Sequence, residues 1–176
     1  RTVAPAAPDA ARAPGASMPG LDALLACAGT WKGTNILHDP NTQRPAESSG
    51  TLHVIPTLEK RFVRLDYTWS YQGKPQEGSL LVGFDPKTRT ISGHWIDTWH
   101  MGNAAWIGLG TEPENGTFQF AGSYAAPPGP DWGWRIEITA GPGVDALRIT
   151  MTNIWPDGQR EDPAVEAVYT RVAPTP

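Results

Sequence analysis

The stretch Arg61-Phe62-Val63-Arg64-Leu65-Asp66-Tyr67-Thr68-Trp69-Ser70-Tyr71 decides how this chain folds. From Val63 onward its odd positions are apolar or aromatic (Val63, Leu65, Tyr67, Trp69, Tyr71) and its even positions are polar (Arg64, Asp66, Thr68, Ser70). Successive side chains of a strand point to opposite faces, so one face is core and the other meets water. The same alternation returns in Trp132, Trp134, Ile136 and Ile138 against Arg135, Glu137 and Thr139. It returns again in Leu147, Ile149 and Met151 against Arg148, Thr150 and Thr152.

Working outward, strand-like segments are expected near 30–37, 49–55, 61–71, 78–84, 90–99, 104–111, 117–124, 132–140, 145–155 and 165–172. Turn chemistry separates them: Asp39-Pro40-Asn41, Phe84-Asp85-Pro86-Lys87-Thr88, Glu114-Asn115-Gly116-Thr117, Gly141-Pro142-Gly143 and Pro156-Asp157-Gly158 each supply a preset or a permitted positive φ. Asn115-Gly116-Thr117 matches the glycosylation sequon, but Asn-Gly is also a strong hairpin signal, and the turn is the reading adopted. Leu21, Leu24, Leu25 and Ala28 have helical spacing, with Asp22 in the first turn and Gly29 available to end the helix. Nothing after Ala28 reads as a long amphipathic helix, so no element remains to cover an open sheet or carry parallel crossovers. A meander of about ten strands removes its two free edges by closing. The expected fold is all-β: a single antiparallel up-and-down barrel with a short N-terminal helix.

The 176 residues fit one domain, which buries roughly two-thirds of its unfolded surface. A 39% hydrophobic content is low for a sheet sandwiched between helices and suits one with an apolar and a wet face. Net charge −4 and a pI near 5.5 argue against nucleic acid or anionic membrane as partner. No apolar run reaches the roughly 18 residues of a membrane span. Residues 1–20 are Ala and Pro with scattered Gly and no hydrophobic period, a disordered leader by composition, and the barrel domain is expected over 21–173. A leader left behind by a removed export signal implies a periplasmic or secreted protein; without that history the protein is cytoplasmic. The lone Cys27 falls in the apolar segment Leu21 to Ala28 and reads as a buried, inert thiol.

Ala28-Gly29-Thr30-Trp31-Lys32-Gly33 resembles the Gly-x-Trp opening of the first strand in calycins. Gly83-Phe84-Asp85-Pro86-Lys87-Thr88, then Gly93-His94-Trp95-Ile96-Asp97, Pro156-Asp157-Gly158 and Val168-Tyr169-Thr170-Arg171, are similar to the DUF1579 family of uncharacterised bacterial proteins. The likeness runs from about Leu21 to Val172. It implies a lipocalin-like barrel whose Trp31 plugs the closed end, and a ligand-binding interior by analogy with fatty-acid and haem carriers of that fold. The Pro-, Gly- and Trp-rich segment from Ala125 to Trp134 departs from the pattern and is expected to form a lid or rim.

Eight tryptophans against four tyrosines and four phenylalanines suggest an aromatic-lined hollow, though ordinary core filling remains the rival account. If residues 91–100 form one regular strand, Trp95, Asp97 and Trp99 share one face and His94, Ile96, Thr98 and His100 the other. Asp97 then either pairs with an Arg or an indole N–H, anchors a ligand, or works as an acid/base. Tyr67, Trp69, Met151 and Asn153 share inferred inward faces and join Trp95, Asp97 and Trp99 as candidate ligand contacts. His94 and His100 lie roughly 20 Å apart along a regular strand, too far for one metal, and each would need a partner such as His53, Asp66 or Glu137. A single histidine could still ligate haem. No G-x-S-x-G elbow, P-loop, G-x-G-x-x-G or H-E-x-x-H signature occurs. The leading expectation is a carrier or sensor for a small, largely apolar molecule, without a cofactor. Alternatives are an isomerase, cyclase or lyase using Asp97 in the same pocket, and a haem binder; a homodimer is left open.

Overall fold

The computed structural model describes residues 20–140 and 146–173. The leader through residue 19 and the turn Gly141-Pro142-Gly143 lie outside them. A one-turn helix, α1 (Asp22–Leu25), precedes ten strands: β1 (Gly29–Asp39), β2 (Arg44–Thr57), β3 (Phe62–Tyr71), β4 (Lys74–Asp85), β5 (Thr90–Asp97), β6 (Trp106–Thr111), β7 (Thr117–Tyr124), β8 (Trp132–Thr139), β9 (Ala146–Ile154) and β10 (Glu161–Arg171). Each strand pairs antiparallel with its neighbours in sequence, and β1 pairs with β10, so the sheet closes into an up-and-down barrel. The odd positions of β3 from Val63 to Trp69 are buried, as are Trp134, Ile136 and Ile138 in β8 and Leu147, Ile149 and Met151 in β9.

Strands β2, β4 and β10 begin four or five residues earlier than the sequence pattern indicates. Their first residues contain Pro45, Pro75 and Pro163, and proline reads as a break because it cannot donate to a ladder. Here the prolines sit in the outer stretch of long hairpins, and the β9–β10 register shifts beside Pro163. Asn115 and Gly116 adopt positive φ between β6 and β7, so the sequon is a hairpin turn. Gln72-Gly73 makes an equivalent turn between β3 and β4 that the turn reading omitted.

One end of the barrel is sealed. Trp31 is buried there, its indole N–H donates to the Cys27 carbonyl (2.9 Å), and the Arg171 guanidinium lies 4.4 Å from its ring centroid. Arg171 also donates to the carbonyls of Ala28 (2.7 Å) and Ala26 (3.0 Å), tying the turn after α1 to the last strand. The helix stops at Leu25, so Gly29 does not terminate it; with φ at +130° it opens β1. Closure between β1 and β10 depends on Gly33, where a Cβ would stand 1.9 Å from the Val168 carbonyl oxygen.

Candidate functional site

The opposite end of the barrel is open. The late residues of β1, β5, β7 and β9 meet the early residues of β2, β6, β8 and β10 around a cavity of about 530 Å³. Four of the eight tryptophans (Trp95, Trp99, Trp106 and Trp134) line it, with Met101 and Tyr124. Trp95 and Trp134 stack with centroids 5.3 Å apart and planes within 7°, and Trp106 meets the edge of Trp95. The polar lining comes from His100 and Asn153 and, nearer the mouth, from His38, Asp39, Arg44, Arg160 and Asp162. That volume falls within the roughly 300–1,000 Å³ of pockets that hold small molecules.

Beneath this cavity lies a second hollow of about 10 Å³, with room for about one water, bounded by Asn35, Tyr67, Trp69, Asp97, Met151 and Tyr169 among others. His100 lines both spaces. The seven residues proposed from sequence therefore divide: Trp95, Trp99 and Asn153 face the large cavity, while Tyr67, Trp69, Asp97 and Met151 face the small hollow under it.

Strand β5 is not regular to residue 100, and this corrects the facial assignment made from alternation. It ends at Asp97, and the chain turns out of the sheet. The side chain of Asp97 is fully buried, and its Oδ1 accepts the backbone N–H of His100 (2.6 Å) and of Met101 (3.0 Å). Its Oδ2 stands 2.5 Å from Nδ1 of the His100 ring. Asp97 thus pairs with a histidine and two amides, not with an arginine or an indole, and His100 turns inward, away from the outward face shared by His94 and Ile96. Thr98 stays on the outer surface, where its backbone N–H donates to the Glu77 carbonyl and its hydroxyl to Gln76.

Residues 21–171 fit a family described as protein of unknown function, DUF1579. The chain belongs to the DUF1579 family. Among curated proteins none matches.

The electrostatics of this DUF1579 cavity follow from its hydrogen bonds. Tyr67 accepts the Trp95 indole N–H at 2.8 Å; burial, with the Asp97 charge adding to it, pushes the phenol well above its ordinary range. Tyr169, which borders the small hollow, is pushed up by burial as well. Tyr124 donates to Asn153 Oδ1 (2.7 Å), which fixes the amide so that its NH₂ is the free side; burial raises this phenol too. At the mouth, Tyr71 donates to Asp39 Oδ2 (2.6 Å), and that bond leads the set that lowers the Asp39 carboxyl. His38 sits 2.9 Å from Glu166, whereas His53 bonds Thr30 and His94 is exposed on the outer wall. The segment from Ala125 to Trp134 joins two cavity residues, Tyr124 and Trp134, across the rim.

Sequence reasoning missed His100, Trp106, Trp134, Tyr124 and Met101 as cavity residues. Trp134 carried a usable signal, since alternation put it on the inward face of β8. His100 carried only a faint one: an aspartate followed five and six residues later by Gly102-Asn103, the mark of a strand that ends in a side-chain-capped turn.

Proposed function

We propose that the DUF1579 barrel binds a small, largely apolar molecule, as a carrier or sensor, in the cavity at its open end. The observation that supports this most directly is the concentration of aromatic surface there. Four indoles, a thioether and a phenol surround about 530 Å³; the polar groups are His100, Asn153, the rim, and the indole N–H groups of Trp106 and Trp134, which are buried without a partner among the described residues. An apolar guest gains roughly 25 cal/mol for each Å² it removes from water.

Intrinsic fluorescence tests the reading, because the lining indoles should report any occupant. Fatty acids, retinoids and porphyrins titrated into the wild type should include at least one that quenches or shifts emission saturably. Replacing Trp134 with alanine should weaken that response at least severalfold. Emission unchanged across the whole panel would overturn the proposal. Native mass spectrometry of freshly purified protein should show a retained small mass.

A second reading, an acid–base enzyme in the same cavity, draws support from the Asp97–His100 pair. It moves the proton-handling group from Asp97, which is covered, to the ring of His100, which borders the cavity. Asp97 then becomes a positioning residue. Haem binding would also run through His100: a Soret shift on haem addition, abolished in His100→Ala and retained in His38→Ala, would replace the carrier reading with that one.

A further inference from the structure

We propose that His100 makes this cavity selective for planar aromatic molecules bearing a hydroxyl group, with the hydroxyl donating to Nε2. The inference rests on the small-molecule reading above and specifies its ligand class.

The donor count around Asp97 places a hydrogen on Nδ1 of the ring. Oδ1 is occupied by two backbone N–H groups, at 2.6 and 3.0 Å, and Oδ2 faces Nδ1 at 2.5 Å. A carboxylate only accepts, so the hydrogen in this contact belongs to Nδ1. In its neutral form the imidazole carries one N–H, and Nε2 is then left with the lone pair on which the inference rests. Among the described residues Nε2 has no hydrogen-bond partner, and the side chain, 13% exposed, borders the large cavity.

The surroundings define the rest of the ligand. On the cavity side, indole centroids stand around the imidazole at 4.6 Å (Trp99), 5.2 Å (Trp95) and 5.7 Å (Trp134). A flat ring entering between these walls presents its edge substituent to Nε2. A hydroxyl there donates to the lone pair; a methyl covers it and strips its water without return; a carboxylate sets acceptor against acceptor. A site built around a hydrogen bond rejects the analogue that lacks it more strongly than apolar contact alone can.

The probes are 2-naphthol, 2-methylnaphthalene and 2-naphthoate, near neutral pH, followed by calorimetry and tryptophan quenching. Wild type should bind 2-naphthol about tenfold tighter than its methyl isostere, against the order of their hydrophobicity. Naphthoate should bind weakest. Asp97→Asn is the decisive variant. The two backbone N–H groups still need an oxygen, so the Asn amide NH₂ must face Nδ1 and drive the ring hydrogen to Nε2. The preference should then invert toward naphthoate, and the imidazole ¹⁵N shifts of His100 should exchange their protonated and unprotonated signatures. His100→Phe keeps the ring packed among the indoles and should erase the preference for naphthol while the methyl isostere still binds. Equal wild-type affinity for naphthol and its isostere, or an Nε2-protonated ring in the wild type, would overturn the inference and leave the cavity reading standing. Binding of none of the three probes would overturn the inference, and the cavity reading with it only where fatty acids, retinoids and porphyrins also leave the tryptophan emission unchanged.

Discussion

Replacing Asp97 with alanine should be among the most destabilising single changes in this barrel, although its side chain reaches neither solvent nor the large cavity. Its carboxylate holds three donors: the amides of His100 and Met101 and the ring of His100. Each buried donor left without a partner costs about 1–3 kcal/mol, and His100 is only part-buried, so the sum is about 3–6 kcal/mol. Against a total stability of about 5–15 kcal/mol that is a large share. At about 2–4 °C per kcal/mol for a chain of this length, the melting temperature should fall by roughly 6–24 °C. Asp97→Asn separates the backbone part from the ring part. Its oxygen can still accept both amides, and only the contact to His100 changes character, so it should lose about 1–2 kcal/mol. Urea unfolding, followed by tryptophan emission and far-UV circular dichroism, measures both variants, with the m-value checked for constancy. An alanine variant within about 0.5 kcal/mol of wild type, or one no worse than the asparagine variant, would refute the account of Asp97 as the residue that secures the turn after β5.

Two further outcomes test other parts of the structure. Gly33→Ala should destabilise by about 1–3 kcal/mol or more, because its methyl would stand 1.9 Å from the Val168 oxygen at the β1–β10 seam; a neutral result in urea unfolding would show that the seam is looser than drawn. Tyr71→Phe should raise the Asp39 carboxyl toward its ordinary value, read by ¹³C chemical shift against pH, since the Tyr71 bond is the leading cause of its depression. A depressed carboxylate stabilises the fold above the unfolded value of about 3.9 and loses that contribution as pH falls through its lower folded value. The stability difference between wild type and Tyr71→Phe should therefore shrink over that acid range and stay flat above it.

The architecture was legible in the sequence because an antiparallel wall writes itself as alternation with period two, and β3, β8 and β9 do so with few exceptions. Closure was legible as a consequence: many strands, no covering helix and two edges otherwise left bare. Strand ends were less so where Pro45, Pro75 and Pro163 sit in extended backbone, since proline carries the same signal in a turn as in the outer stretch of a hairpin. The sealed end was visible through Trp31, but its Arg171 partner, 140 positions away in number, belongs to a contact that only closure creates.

The cavity was legible as composition and not as geometry, and the reason lies in parity. Residues on one face of a strand differ by even numbers, so positions 97 and 100 cannot both point inward while the strand stays regular. The sheet has to end between them for a carboxylate and an imidazole to meet inside the barrel. Ending it strands the amides of His100 and Met101, which no longer face a ladder partner. Those are the two groups that Asp97 Oδ1 accepts. The side chain that positions the histidine is thus the same one that makes the local break in the sheet tolerable. Thr98, Trp99 and His100 are ordinary strand formers by type, so propensity favours continuing β5, and only the acceptor capacity of a buried Asp97 reverses that preference. A polar group in this aromatic hollow and the irregularity that delivers it have one physical cause.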